Sequence, residues 1–207
     1  MSDRLLKAIL LLGPTGSGKT PLGQHLEAEG ICGMPCVHFD FGYALRSAAS
    51  NPVGLLTESE FQVVEKVLNK GLLLENEHFP IARKLLFDHV LKCKATKDTL
   101  IILNGLPRHV GQAEAMKFDV NMQAVVSLEC ETVAVWERIR LNTGGDREGR
   151  ADDTLEKVAH RIDVFRERTS PLLNHYHAQC VPVLLLDVGP KTTAKEMRII
   201  IESKLHL

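Results

Sequence analysis

An aliphatic run that breaks into a glycine-rich turn and restarts as a helix constrains this chain more than any other feature. Residues 8–23 read AILLLGPTGSGKTPLG. Five consecutive apolar residues without polar alternation predict a strand buried on both faces, and such a strand belongs in a parallel sheet with helices on each side. Gly13, Gly18, Lys19 and Thr20 satisfy the pattern GxxxxGK[ST]. In that pattern main-chain N–H groups wrap a phosphate chain at a helix N-terminus, the lysine reaches the outer phosphates and the hydroxyl ligates magnesium. Pro14, Thr15, Gly16 and Ser17 complete the cradle. A strand before and a helix after distinguish it from a chance glycine turn, so the chain is expected to bind a nucleoside triphosphate. GTPases, motor ATPases and small-molecule kinases all meet that description.

The alternation continues along the chain. Strands are expected at 35–41, 99–105, 122–130 and 181–189, with helical patterns between them. Thr57 and Glu60 have capping-box spacing and mark a helix start. Five strands with crossover helices predict an α/β fold of three layers, with ligands at the carboxyl ends of the strands. Two segments exceed what a simple crossover needs: the helical stretch 41–96, and the glycine-rich, charged stretch 140–153, which has no apolar periodicity and reads as a surface loop.

A net charge of -1 over 207 residues gives no global attraction to nucleic acid or to an anionic membrane. There is no apolar run long enough to span a bilayer and no leader pattern, and the five scattered cysteines suit a reducing cytoplasm. Cys32 and Cys36 lack a second ligand pair at zinc spacing.

Residues 101–116, IILNGLPRHVGQAEAM, narrow the choice. They resemble the signature of adenylate kinases and other nucleoside monophosphate kinases, in which an apolar strand precedes Asp-Gly-Phe-Pro-Arg and a glutamine follows four positions later. Gly105, Pro107, Arg108 and Gln112 match, whereas Asn104 and Leu106 replace the aspartate and the aromatic. Residues 137–177 are similar to the short-lid branch of the same family through Arg138, the GRADD of 149–153, Arg161 and RTSPLLNHY. With the glycine loop and Arg46 of YALR, the resemblance covers nearly the whole chain in the family's order.

The resemblance implies a P-loop NTPase-type fold with a core of 1–40, 97–140 and 153–207. A monophosphate-binding flap would lie at about 41–75, followed by a helix to 96, and a short lid at about 141–152. It implies transfer of the γ-phosphoryl group of ATP, with magnesium, to a nucleoside monophosphate by a monomer. Lys19 would hold the β and γ phosphates. Arg46 and Arg108 would clamp the acceptor phosphate, while Gly105 and Gln112 would line its base, beside Asp40 and Gly42. Arg138, Arg150 and Arg161 would converge on the transferred group, Arg138 also stacking on the donor base, with Asp152 and Asp153 orienting the lid. Thr20 would bind magnesium through its hydroxyl, and Asn104 through water. Fixed guanidinium forks suit the task, because two polyanions must be brought together in line.

Three departures leave alternatives open. Asn104 lacks the charge that supports the metal, so Asn104→Asp is expected to leave activity equal or higher, with tighter magnesium dependence. Phe41 and Tyr43 alter the acceptor side, and Asn142 stands where the lid's second arginine belongs, with Arg140 and Arg147 as nearby substitutes. One rival is a kinase of the shikimate or gluconate type, which GKTPLGQHL and PCVHFD also resemble; Asp40 would then hold a substrate hydroxyl. The other is a nucleotide-binding relative that does not catalyse transfer.

Overall fold

The computed structural model describes residues 5–50, 54–146 and 154–205. Five parallel strands, β1 (Leu6–Leu12), β2 (Cys36–Asp40), β3 (Leu100–Asn104), β4 (Val120–Glu129) and β5 (Val183–Asp187), form one sheet in the order β2-β3-β1-β4-β5. The central strand shows why the aliphatic run is needed. Ala8, Leu10 and Leu12 enter one apolar core and Ile9 and Leu11 the other, all at most 2% exposed. A polar residue at any of these positions would be sealed away from water on a face with no hydrogen-bond partner to offer.

One face is covered by α1 (Lys19–Glu29) and α9 (Ala194–Lys204), which bring Leu22, Leu26, Met197 and Ile201 against the sheet. The opposite core draws on α2 (Phe41–Ser50), α3 (Glu58–Lys70), α4 (Phe79–Lys92), α5 (Val110–Met116) and α8 (Pro171–Ala178). Both ends of the expected capping box at Thr57 and Glu60 are made. The long insertion is thus helical as its periodicity predicts, broken by a 3₁₀ turn at Asn76–His78.

After α6 (Thr132–Leu141) the chain enters the glycine-rich segment, and residues 147–153 lie outside the described residues. It resumes as α7 (Leu155–Val164), capped by Thr154. α7 runs on through a π-helical turn, Phe165–Thr169, into α8, which starts at Pro171. Ser170 has right-handed helical dihedrals and makes no capping bond. The hydroxyl of Thr169 donates to the main-chain oxygen of Arg108, 2.9 Å away, which draws this wide turn toward the sheet's carboxyl edge. Trp136 packs in a small satellite cluster with Val135, Val158 and Ile162.

Candidate functional site

Strand register brings the chemistry together. Asp40 pairs with Asn104, and Asn104 with Leu11, so the ends of β2, β3 and β1 stand level, with Gly13 opening just beyond. The chain reverses its direction of progress across the sheet here, where open α/β folds place their ligands. A cavity of about 620 Å³ occupies this edge.

One end of it is the glycine loop. Gly13 adopts φ 143°, and a Cβ there would stand 2.6 Å from Ser17 Oγ and 2.9 Å from the Leu128 carbonyl, so only glycine fits. Gly18, at φ 100°, delivers the chain into α1. Lys19 Nζ donates to the carbonyls of Gly13 and Pro14, each at 2.7 Å, and so lies along the loop it must serve. Thr15, Gly16, Gly18, Lys19 and Thr20 line the cavity, whereas the Ser17 side chain is buried beneath it.

The opposite end is lined by Gly42, Arg46, Gly105, Pro107 and Arg108, with a wall from Val67 to Leu73 that sequence reasoning did not single out. That wall exists because Gly71 ends α3 in a left-handed conformation, φ 64°, turning the chain back toward β3. Arg161, Val164, Phe165 and Thr169 close the third side, and Asp146 approaches from the glycine-rich segment. Neither Asp146 nor Phe165 carried a sequence signal: Asp146 lies in a segment without apolar periodicity, and the wider π spacing around Phe165 lasts only five residues, too few to read as a period.

Among the described residues, four cations (Lys19, Arg46, Arg108, Arg161) face the cavity against two carboxylates (Asp40, Asp146). The guanidinium groups of Arg46 and Arg108 make no hydrogen bond to a described residue. Burial foremost, then repulsion from Arg161, lowers the pKa of Arg108, with Asp40 opposing. A cation held in this way is poised for an anion.

Two expected site residues stand elsewhere. Arg138 is 4% exposed and does not line the cavity. Its guanidinium donates to the carbonyls of Gly16 (3.2 Å), Gly189 (2.7 Å) and Thr192 (2.9 Å), pinning the glycine loop to the segment before α9. Gln112 is fully buried, its amide accepting from the Arg108 N–H at 2.8 Å and donating to the Leu74 carbonyl at 2.7 Å. It braces the wall opposite the glycine loop from behind. Arg150, Asp152 and Asp153, like Arg147, lie outside the described residues.

The group of side chains beside the glycine loop is oxygen-rich. Thr20 Oγ1 donates to Asp40 Oδ2 at 2.9 Å, and Asn104 Nδ2 stands 3.0 Å from each of those oxygens. Hydroxyl and carboxylate oxygens beside a phosphate-binding loop fit magnesium, which keeps several waters and uses few protein ligands. Cys32 and Cys36 take no part; among the described residues the possible soft-ligand group is Glu27, His89 and Cys93, which is not among the residues lining the cavity.

A parallel sheet of this order with a GxxxxGK[ST] loop and converging cations defines the class: a P-loop kinase. Comparison with known proteins sharpens it. The chain is 31% identical over 182 residues to an adenylate kinase of Synechococcus sp. (strain RCC307), covering 85% of each. It is 31% identical over 180 residues to one from Parvibaculum lavamentivorans, covering 83% of this chain and 80% of the relative. Against one from Stenotrophomonas maltophilia it is 32% identical over 176 residues, covering 81% and 84%. The chain therefore belongs to the adenylate kinase family. No family profile matches it. A crystal structure of a sugar kinase from Janibacter sp. HTCC2649 superposes with a TM-score of 0.55 at 14% identity over 96% of this chain and 93% of that one, a likeness of fold. Among the described residues no helix is long and apolar enough to cross a membrane.

Proposed function

We propose that the protein is an ATP-dependent nucleoside monophosphate kinase, converting ATP and a nucleoside monophosphate to ADP and a nucleoside diphosphate. The observation that carries this reading is the sharing of one cavity by the glycine loop and by Arg46 and Arg108, two guanidinium groups with no hydrogen bond to a described residue. A sugar acid presents one carboxylate of single charge, whereas an acceptor phosphate carries up to two charges on three oxygens, which suits the two guanidinium groups on the wall opposite the glycine loop.

In the reaction a terminal oxygen of the acceptor phosphate forms a bond to the γ-phosphorus, the bond to the β,γ-bridging oxygen breaks, and its electron pair leaves on ADP. Lys19 and the main-chain N–H groups of residues 15–20 hold the donor phosphates. Arg46 and Arg108 orient the acceptor, and Arg161 meets the transferring group between them. Gly42 and Gly105 let the acceptor approach the backbone. Residues 41–75 act as the acceptor flap and 141–152 as the lid, with Arg150, Asp152 and Asp153 in it and Arg138 bracing the donor loop. Magnesium, when bound, offsets charge on the β and γ phosphates, and Thr20 is the hydroxyl placed to hold it.

The test is an acceptor panel: purified protein, ATP and magnesium with AMP, UMP, CMP, deoxynucleotides, shikimate or gluconate, following ADP. Turnover of a monophosphate is expected; turnover of a sugar acid alone would transfer the assignment to that class of kinase, and no turnover with retained ATP binding would favour the non-catalytic relative.

A further inference from the structure

On the phosphoryl-transfer reading above, we infer that Asp40 is the carboxylate that supports the metal ion, taking over from position 104 one strand away. Asp40 and Asn104 are register partners at the ends of β2 and β3, so their side chains leave the sheet on the same face and at the same height. Asp40 turns its two oxygens to different tasks. Oδ1 accepts from the Tyr43 N–H at 2.8 Å and caps α2, the helix that carries Arg46. Oδ2 faces the glycine loop and takes the Thr20 hydroxyl at 2.9 Å.

Asn104 completes the arrangement. Its Nδ2 lies 3.0 Å from Asp40 Oδ2 and 3.0 Å from Thr20 Oγ1. An amide N–H there binds the Asp40 carboxylate, whereas an aspartate would set two like charges about as close as the pairs that cannot both ionise. The neutral residue on β3 and the charged one on β2 are therefore a complementary pair, with one negative charge kept at the loop and moved by one strand. A helix cap alone would employ only Oδ1. A hydroxyl-binding role would aim Oδ2 toward Arg46 and Arg108 instead of Thr20. Asp40 acts through the Thr20 hydroxyl and a metal-bound water, as a positioning residue.

The experiment measures retention of Mn²⁺, as a spin probe for the magnesium site, by the protein–ATP complex without acceptor. Wild type is compared with Asp40→Asn, Asn104→Asp and the double variant, and metal-free ATP binding is measured alongside. Asparagine keeps the helix cap, so the first variant removes charge without removing the N-terminal hydrogen bond. Loss of an outer partner of a metal costs about 10–100-fold in affinity, and that loss is expected for Asp40→Asn with metal-free ATP binding unchanged. The double variant should regain most of it. Unchanged Mn²⁺ retention in Asp40→Asn, or loss of monophosphate affinity alone, would overturn the inference and return Asp40 to the acceptor. A wild-type protein that binds neither ATP nor Mn²⁺–ATP would instead overturn the phosphoryl-transfer reading, and this one with it. Should Asp40→Asn not fold, Asp40→Ser, which keeps a helix-capping oxygen and removes the carboxylate, takes its place: Mn²⁺ retention should fall by the same factor of about 10–100 with metal-free ATP binding unchanged, and wild-type retention would overturn the inference.

Discussion

Replacing Arg108 by methionine is expected to stabilise the protein while removing its grip on the acceptor. The guanidinium sits against the cavity wall without a hydrogen bond to a described residue, and burial and the Arg161 charge both lower its pKa, with Asp40 opposing. A cation whose folded pKa lies below its unfolded value is held less favourably charged in the fold, so its charge costs stability at every pH below the folded pKa. Replacing buried ionic groups by apolar ones of similar volume stabilises by about 1–4 kcal/mol, and the lower end applies here because Arg108 is partly exposed. About 1 kcal/mol raises Tm by about 2–4 °C in a domain of this size. The same change removes charge-assisted hydrogen bonds of about 1.5–3 kcal/mol to the acceptor phosphate, a loss of about 10–150-fold in kcat/KM. Calorimetry with and without monophosphate, beside steady-state kinetics, checks both halves: the acceptor should raise the wild-type Tm and leave the variant's unchanged. A variant with lower Tm and near-normal kcat/KM would refute the account of Arg108.

Other outcomes follow from the same geometry. Lys19→Ala should abolish transfer, measured as ADP formed per enzyme, because Arg138, the other described cation bonded to the glycine loop, is committed to three carbonyls and does not line the cavity. Arg138→Met should lower Tm by several degrees, since three carbonyls lose their donor and each buried unsatisfied group costs about 1–3 kcal/mol; the drop should be present without any ligand. His38 is buried against Asn104, and desolvation lowers its pKa, with Asp40 and Glu27 opposing and His89 reinforcing the shift. The unfolded chain then binds a proton that the fold resists, so stability should fall as pH drops below about 6.5; thermal melts of wild type and His38→Gln across that window should converge at low pH. Gly23→Ala should destabilise despite its better helix propensity, because a Cβ there would stand 2.3 Å from the His38 ring, and denaturant melts would show it.

Much of this arrangement is legible in the sequence because it is periodic or locally coded. The strand Leu6–Leu12, the glycine loop and the Thr57–Glu60 cap each depend on residues within a few positions of one another. The placement of Arg46, Arg108 and Arg161 on one cavity follows from motif order. What a motif does not encode is which way a long side chain turns. Arg138 occupies a site position yet lies under the loop, because the carbonyls of Gly189 and Thr192, some fifty residues away, are nearer than the cavity. Gln112 turns to Leu74 for the same reason. The π turn escapes because its wider i→i+5 spacing lasts only five residues, too few to read as a period. Position 104 is the most instructive case. Read alone, Asn104 is a missing charge that Asn104→Asp would restore; with Asp40 Oδ2 3.0 Å away, that substitution creates a repelling pair instead.

The most direct test of the shared donor–acceptor cavity is a single turnover with ATP labelled in the γ phosphate, in the presence of the preferred nucleoside monophosphate. The account predicts label in the β position of the nucleoside diphosphate, one per ATP consumed, with none attached to the protein. Label appearing only as inorganic phosphate, or on a sugar acid in preference to every monophosphate, would contradict it.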